Sequence, residues 1–470
     1  MNLQQLSEFI DATWEQQIIP ELIKFIQIPN KSPQFDPDWQ AHGFMDQAVE
    51  LVSTWCNSQA IPGLKLKVVR LENRTPVIYM EIPGQTAETI LLYGHIDKQP
   101  EMEGWDADLG PWKPVLRGDK LYGRGGADDG YAAYAALTAI KALQQQNIPH
   151  ARCVVLLEAS EESGSYDLPF YVEHLKEQIG SPDLVICLDS GCGNYEQLWL
   201  TTSLRGLIGG TLKVQVSSAG VHSGSAGGII PSSFRIIRQL LERIENSNTG
   251  EILLKELQVE IPEQRRKQAE QAAQILGEEI FTAFPFAPGV KPASQALAEL
   301  VLNRAWRPSL AITGADGLPK VKDAGNTLRP FTALKLALRI PPTCNSEQAA
   351  QALKNTLEQD PPYDAKVSFT LDTPGAGWNA PELKPWLVEA CDEASQSFYQ
   401  RPAAYLSEGG TIPFMGMLAE KFPKAQFMVV GVLGPMSNAH GPNEFLHIPM
   451  AKRLTCCVAK VIAAHYLQTQ

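Results

Sequence analysis

Apolar and polar residues follow two different rhythms along this chain, and the switch between them marks its organisation. Over roughly the first 200 residues, short apolar runs of strand length end abruptly in polar residues: "TILLYGH" at 89–95, "ARCVVLLEAS" at 151–160 and "PDLVICLDSG" at 182–191. Between the first two lies "DDGYAAYAALTAIKALQQQ", alanine-rich and free of breakers beyond Gly130, which predicts a helix. Strand and helix in alternation predict an α/β layer with a mostly parallel central sheet.

From "TTSLRGLIGGTLKVQVSS" onward the rhythm changes. A glycine-rich joint leads to an alternating strand, then to the polar helix "IPEQRRKQAEQAAQILGEE", whose charges are expected to mark a solvated face. Two more alternating strands, "TALKLALRI" and "DAKVSFTLD", frame a further helical segment. After "TPGAGWNAP" the first style returns with the helix "ELKPWLVEACDEASQSFY" and the apolar strand "AQFMVVGVLG". The pattern predicts one α/β domain, 1–203 and 381–470, interrupted by an inserted α+β domain over 204–380.

Composition narrows the class. With 44% hydrophobic and 20% charged residues, the chain has the makeup of a packed globular protein. Its 470 residues exceed one ordinary core, in keeping with two domains. A net charge of −12 argues against nucleic-acid binding, which rests on basic contacts to phosphate. The amino-terminal stretch lacks a basic region followed by an apolar run, and no segment approaches ~20 apolar residues, so no membrane association is expected. The 8 cysteines are scattered without paired metal-ligand spacing, which predicts reduced, buried thiols and a cytoplasmic protein.

The chemistry gathers where the strands end. "YGHIDKQP" closes a strand with His95 and Asp97, whose side chains project to the same side of an extended chain. "GRGGADDG" puts Asp128 and Asp129 at a helix start, where one carboxylate suffices as a cap and the other is left free. "ASEESGS" places Glu161 and Glu162 after the next strand, "CLDSG" adds Asp189, and "NAHGPNE" adds His440. Each alone reads as a solvated loop or a cap. Together they fall beyond the carboxyl ends of predicted strands, where open α/β sheets bind ligands. Two imidazoles and three carboxylates, one of them shared, suit two divalent ions such as zinc, with Glu161 left as general base.

This order of motifs resembles the zinc-dependent metallopeptidase family that includes aminoacylase, carboxypeptidase G, carnosinase and cytosolic non-specific dipeptidase, along essentially the whole chain. The resemblance implies one ion on His95, Asp128 and Asp189 and a second on Asp128, Glu162 and His440, with zinc as the expected metal and manganese or cobalt as alternatives. It implies Glu161 as the base for a water bridging the ions, Asp97 orienting His95, and a cis peptide between Asp128 and Asp129. The insert is similar to the family's lid and dimerisation domain, so a homodimer is implied, with His222 of "VHSGSAGG" reaching the partner's site to stabilise an oxyanion. "GNTLRP", "ALRIPP" and "SEGGTIPF" resemble segments that present Asn326, Thr327, Arg339, Gly410 and Thr411 to substrate. An aspartate at position 189 and the chain length resemble the dipeptidase branch, implying hydrolysis of dipeptides or short peptides. N-acyl amino acid amidohydrolase or carboxypeptidase activity, and an inactive binding dimer, stay open as alternatives. One departure stands out: where relatives commonly read DDKG, this chain has "DDGY" at 128–131.

Overall fold

The computed structural model describes residues 1–468. Its central sheet has six strands in the spatial order Lys65–Val69, Val77–Ile82, Arg152–Glu158, Thr89–His95, Leu184–Cys187 and Gln426–Val429. The last four run parallel, and the first two pair antiparallel at one edge. The apolar runs are continuous because both faces of this sheet are covered. Ile90 and Leu92 enter one core with the helices Ala132–Gln145 and Ile448–Gln468. Leu91 and Tyr93, on the opposite face, enter another with Leu168–His174 and Pro413–Lys421.

A second sheet is wholly antiparallel, in the order Ser309–Asp316, Phe331–Ile340, Gly206–Gln215 and Lys366–Leu371. The helices Ser233–Leu241 and Ser346–Glu358 share its own core, in which Ile208, Leu212, Leu336 and Leu338 pack with Ile236, Ile237, Ala350 and Leu353. The alternation seen in "TALKLALRI" is this half-covered face.

The polar helix has the expected solvated face, with Glu263, Lys267 and Glu270 exposed, but its other side is buried. Glu263–Leu276 and its neighbour Leu297–Ala305 lie within 204–380, yet Ala269, Ala272, Ala273, Leu302 and Ala305 join the large core of the central sheet. Arg265 and Gln268 are buried rather than solvated. The Arg265 guanidinium is satisfied by Asn379 Oδ1 at 2.9 Å, Gln268 Oε1 at 2.8 Å and the Ala380 carbonyl at 2.8 Å. A buried cation with its donors used in this way is tolerated, and the small alanines let the helix approach closely. Only the outer side, with Glu263 and Lys267, meets water.

Among the described residues no helix is long and apolar enough to cross a membrane. All eight cysteines are unpaired and seven are buried.

The strand ends are brought close by small residues. A Cβ on Gly94 would lie 2.5 Å from Ala132 Cβ and 2.6 Å from Asp129 Oδ2, so only glycine lets the helix start sit against the strand before His95. Gly94→Ala is expected to lower stability by ~1–3 kcal/mol through overpacking, read as a lower urea midpoint. An unchanged midpoint contradicts this close approach.

Candidate metal centre

His95 ends its strand and faces inward, fully buried. Its Nδ1 lies 3.1 Å from the Asp97 carbonyl oxygen and 3.4 Å from Asp97 Oδ1. An Nδ1–H donated there leaves the Nε2 lone pair pointing into the site. Nε2 lies 3.2 Å from Asp128 Oδ1 and 3.7 Å from Asp189 Oδ1. From the far end of the chain, His440 Nε2 comes within 3.0 Å of Asp128 Oδ2 and 3.2 Å of Glu162 Oε2. Each oxygen of Asp128 thus faces a different imidazole. Two groups of donor atoms converge within 4.8 Å of one another: His95 with Glu161 and Asp189, and His95 with Asp128 and Glu162.

Asp97 does more than touch the imidazole. Its two carboxylate oxygens accept the backbone N–H groups of Glu161 at 3.1 Å and Glu162 at 3.0 Å, fixing the one-turn helix Glu161–Ser163 that carries both glutamates. Asp129, whose peptide bond to Asp128 is cis, accepts the His95 backbone N–H at 3.2 Å. The adjacent aspartates therefore divide their work, one facing the imidazoles and the other tying the helix start to the strand.

Electrostatically the site is an excess of buried acid. Burial first, then the charge of Asp189, pushes the Glu161 carboxyl well above its usual range. Burial and the charge of Asp128 raise Glu162 to about 8. Asp189 is raised by burial as well. Burial opposes a charge on His440, yet its bond to Asp128 and the charge of Glu162 outweigh that and bring it to about 9. His95 is likewise raised against burial, by Asp189 and by its bond to Asp128. Asp128 alone is held well below the carboxylate range, both imidazoles overcoming its burial.

Beside the site lies a cluster of charges that sit within the quoted motifs but to which the motifs assign no role. The buried Arg124 and Glu444 side chains form a salt bridge, and Glu444 Oε1 also accepts the Gly125 N–H at 2.8 Å. Arg124 Nη2 donates to the Gly441 carbonyl at 2.9 Å, so one guanidinium joins the Asp128 loop to the His440 loop. His440 itself has φ +65°, with Met436, Asn438 and Asn443 also left-handed, a strained backbone that these ties sustain. Lys98 is fully buried, donating to the carbonyls of Phe25 at 2.6 Å and Ile28 at 2.8 Å, with its ammonium 4.0 Å from the centre of the Phe25 ring. The same ring explains "DDGY": a Cβ on Gly130 would stand 2.5 Å from both Phe25 Cε1 and the Gly125 oxygen, leaving no room for a side chain. A charged residue inside "GHIDKQP", next to an otherwise buried strand, was the available signal for Lys98.

The remaining expected residues separate into two places. Arg339 Nη1 donates to Thr411 Oγ1 at 3.0 Å, and Thr411 donates to the Arg205 carbonyl at 2.6 Å. Thr411 and Gly410 line the same cleft as Asp128, Glu161, Asp189 and His440, a concavity of about 830 Å³. His222, Asn326 and Thr327 lie elsewhere, on an exposed ribbon where His222 pairs with Thr327 and the Asn326 carbonyl accepts the Ser223 N–H at 2.9 Å. Those three do not line the cleft of their own chain, and Arg339 adjoins it only through Thr411.

Residues 91–464 match the family described as Peptidase family M20/M25/M40, and the chain belongs to it. It is 24% identical to a cysteinylglycine-S-conjugate dipeptidase of Corynebacterium striatum, over 86% of this chain and 88% of that protein. It is 24% identical to the β-Ala-His dipeptidase of Homo sapiens, over 94% of this chain and 88% of the relative. The solved structure of the dipeptidase Dug1p from Saccharomyces cerevisiae superposes with a TM-score of 0.77 at 21% identity, covering 100% of this chain and 99% of that one. The chain is thus a hydrolase of a metallopeptidase family.

The residues fit metal ions. The ion-pair partners of Asp128, Asp189 and Glu162 among the described residues are the two imidazoles, and Glu162 Oε1 is buried with no hydrogen-bond partner although Oε2 accepts from Gln99 at 2.7 Å. Buried acid of this density calls for positive charge. Because His440 and Glu162 hold protons up to about 9 and about 8, metal uptake must displace them. Zinc affinity, measured by competition with a chelator of known affinity, is expected to rise as pH increases from about 6 to about 9, with protons released on binding. Affinity independent of pH contradicts this competition.

Proposed function

We propose that this chain is a metal-dependent dipeptidase, acting on dipeptides or short peptides in the cytoplasm as a homodimer. Two divalent ions would be held, one by His95, Asp128 and Asp189 and the other by Asp128, Glu162 and His440, with zinc favoured and manganese or cobalt as alternatives. The observation that carries the reading is the Asp128 carboxylate, whose two oxygens face two imidazoles, with Glu161 close to His95 and Asp189. When bound, the ions supply the positive charge that acidifies a water and offsets the developing oxyanion.

The chain's own groups do the rest. Glu161 takes the proton of the attacking water and delivers it to the departing amine nitrogen. Its raised affinity for a proton suits both halves of that transfer. Asp97 keeps Glu161 and Glu162 in place through their backbone N–H groups. Arg339, braced by Thr411, takes the substrate's terminal carboxylate, with Gly410 alongside. Within residues 204–380 the antiparallel sheet and the two helices on it act as lid and dimerisation domain, and the exposed ribbon carrying His222, Asn326 and Thr327 serves the partner's site, His222 stabilising the oxyanion. The antiparallel sheet with its own core supports such a unit, as do the names of the relatives for the substrate class.

A hydrolysis panel tests the substrate class: free dipeptides, a tripeptide, an N-acetyl amino acid and an N-blocked dipeptide, on metal-free and reconstituted protein. Metal-dependent cleavage confined to free dipeptides and short peptides is expected. Preference for the blocked compounds would move the chain to the deacylase or carboxypeptidase activities. Glu161→Gln is expected to lower kcat by about 10²–10⁴-fold with metal content retained. Unchanged turnover would remove Glu161 from the mechanism.

A further inference from the structure

The cleft is larger than two small residues require, and beyond the metal donors its lining combines apolar residues with the charged Arg304, Glu408 and Glu279. Its floor is the metal centre, with Gly410 and Thr411 nearby. From Asp189 it runs along Ser190–Gly193 to a wall built by the end of the helix Glu263–Leu276 and the turn that follows. Leu276 and Ile280 of this wall are anchored in the large core, while Phe284 stands 52% exposed in the cleft lining. Met436, 70% exposed, lines the cleft as well, from the strained His440 loop. The turn is held in shape: the Phe284 N–H bonds to the Phe281 carbonyl at 3.1 Å, and the Phe281 and Phe286 rings meet edge to face at 6.4 Å. An exposed aromatic and an exposed thioether lining one concavity provide a surface for an apolar group.

We propose that Phe284 and Met436 form a specificity wall for the side chain of the substrate's amino-terminal residue, selecting apolar side chains there. The assignment rests on the dipeptidase reading for its direction. With the terminal carboxylate at Arg339 and Thr411 and the scissile carbonyl over the Asp128 site, the space beside Ser190–Gly193 is left to the amino-terminal residue. Leu276 and Ile280 back the Phe284 side of the wall and tie it to the core of the central sheet, while Met436 faces the cleft from the His440 loop.

The test compares kcat/KM of the reconstituted wild type, Phe284→Ala and Met436→Ala on Leu-Gly, Gly-Leu and Gly-Gly. The preference for Leu-Gly over Gly-Gly is expected to fall about tenfold in Phe284→Ala and to fall also in Met436→Ala, mainly through KM, while the preference for Gly-Leu over Gly-Gly holds. A fall confined to Gly-Leu, or no change in either ratio, overturns the assignment. So does a shift of Phe284→Ala to monomer with unaltered selectivity, which would make the aromatic an interface residue. If the wild type cleaves acyl-glycines and ignores dipeptides, the dipeptidase reading fails while the wall is still measured, because the octanoyl-glycine over acetyl-glycine ratio must then fall in Phe284→Ala. If nothing is hydrolysed, calorimetric binding of Leu-Gly against Gly-Gly to metal-loaded protein must show the same loss.

Discussion

One carboxylate shared between two imidazoles organises this molecule. Asp128 enters from the loop before the helix Ala132–Gln145, His95 from the end of a central strand, and His440 from a loop near the carboxyl terminus. Bringing these three segments to one point buries several acids together, and buried like charges are tolerated only with compensating positive charge. The site is therefore the least self-sufficient part of the fold, and the structure around it is correspondingly built to hold it. Asp97 and Asp129 satisfy backbone donors, the Arg124–Glu444 pair joins two loops, and Gly94 permits the close approach.

The parallel sheet explains why the donors meet. Parallel strands point their carboxyl ends the same way, so residues after Thr89–His95, Arg152–Glu158 and Leu184–Cys187 emerge along one edge. Both sheet faces are buried, leaving that edge as the place where polar side chains can gather. Fold and chemistry are thus two consequences of the same topology.

Much of this was legible in the chain. Apolar runs that stop at His95, Glu158 and Cys187 revealed both the strands and the location of the site, because a doubly covered strand must be apolar until it leaves the core. What escaped reading depends on contacts distant in sequence. Lys98 and Arg124 have no role that their motifs suggest until Phe25, Ile28, Gly441 and Glu444 are brought beside them. The helix Glu263–Leu276 showed its solvated face in sequence but hid its buried one, since alanines and one arginine with three hydrogen bonds can bury a face that carries little hydrophobicity. The role of Asp97 toward the glutamate turn was equally hidden, because a residue pair spaced as His95 and Asp97 suggests a contact with the imidazole first.

The central claim is that Asp128 bridges two ions. A crystal structure of zinc-loaded protein, with anomalous scattering recorded at the zinc edge, tests it directly. Two peaks roughly 3.5–4 Å apart, one beside His95 and one beside His440 with Asp128 between them, are the predicted result. A single peak, or peaks that leave Asp128 uncoordinated, would contradict the account.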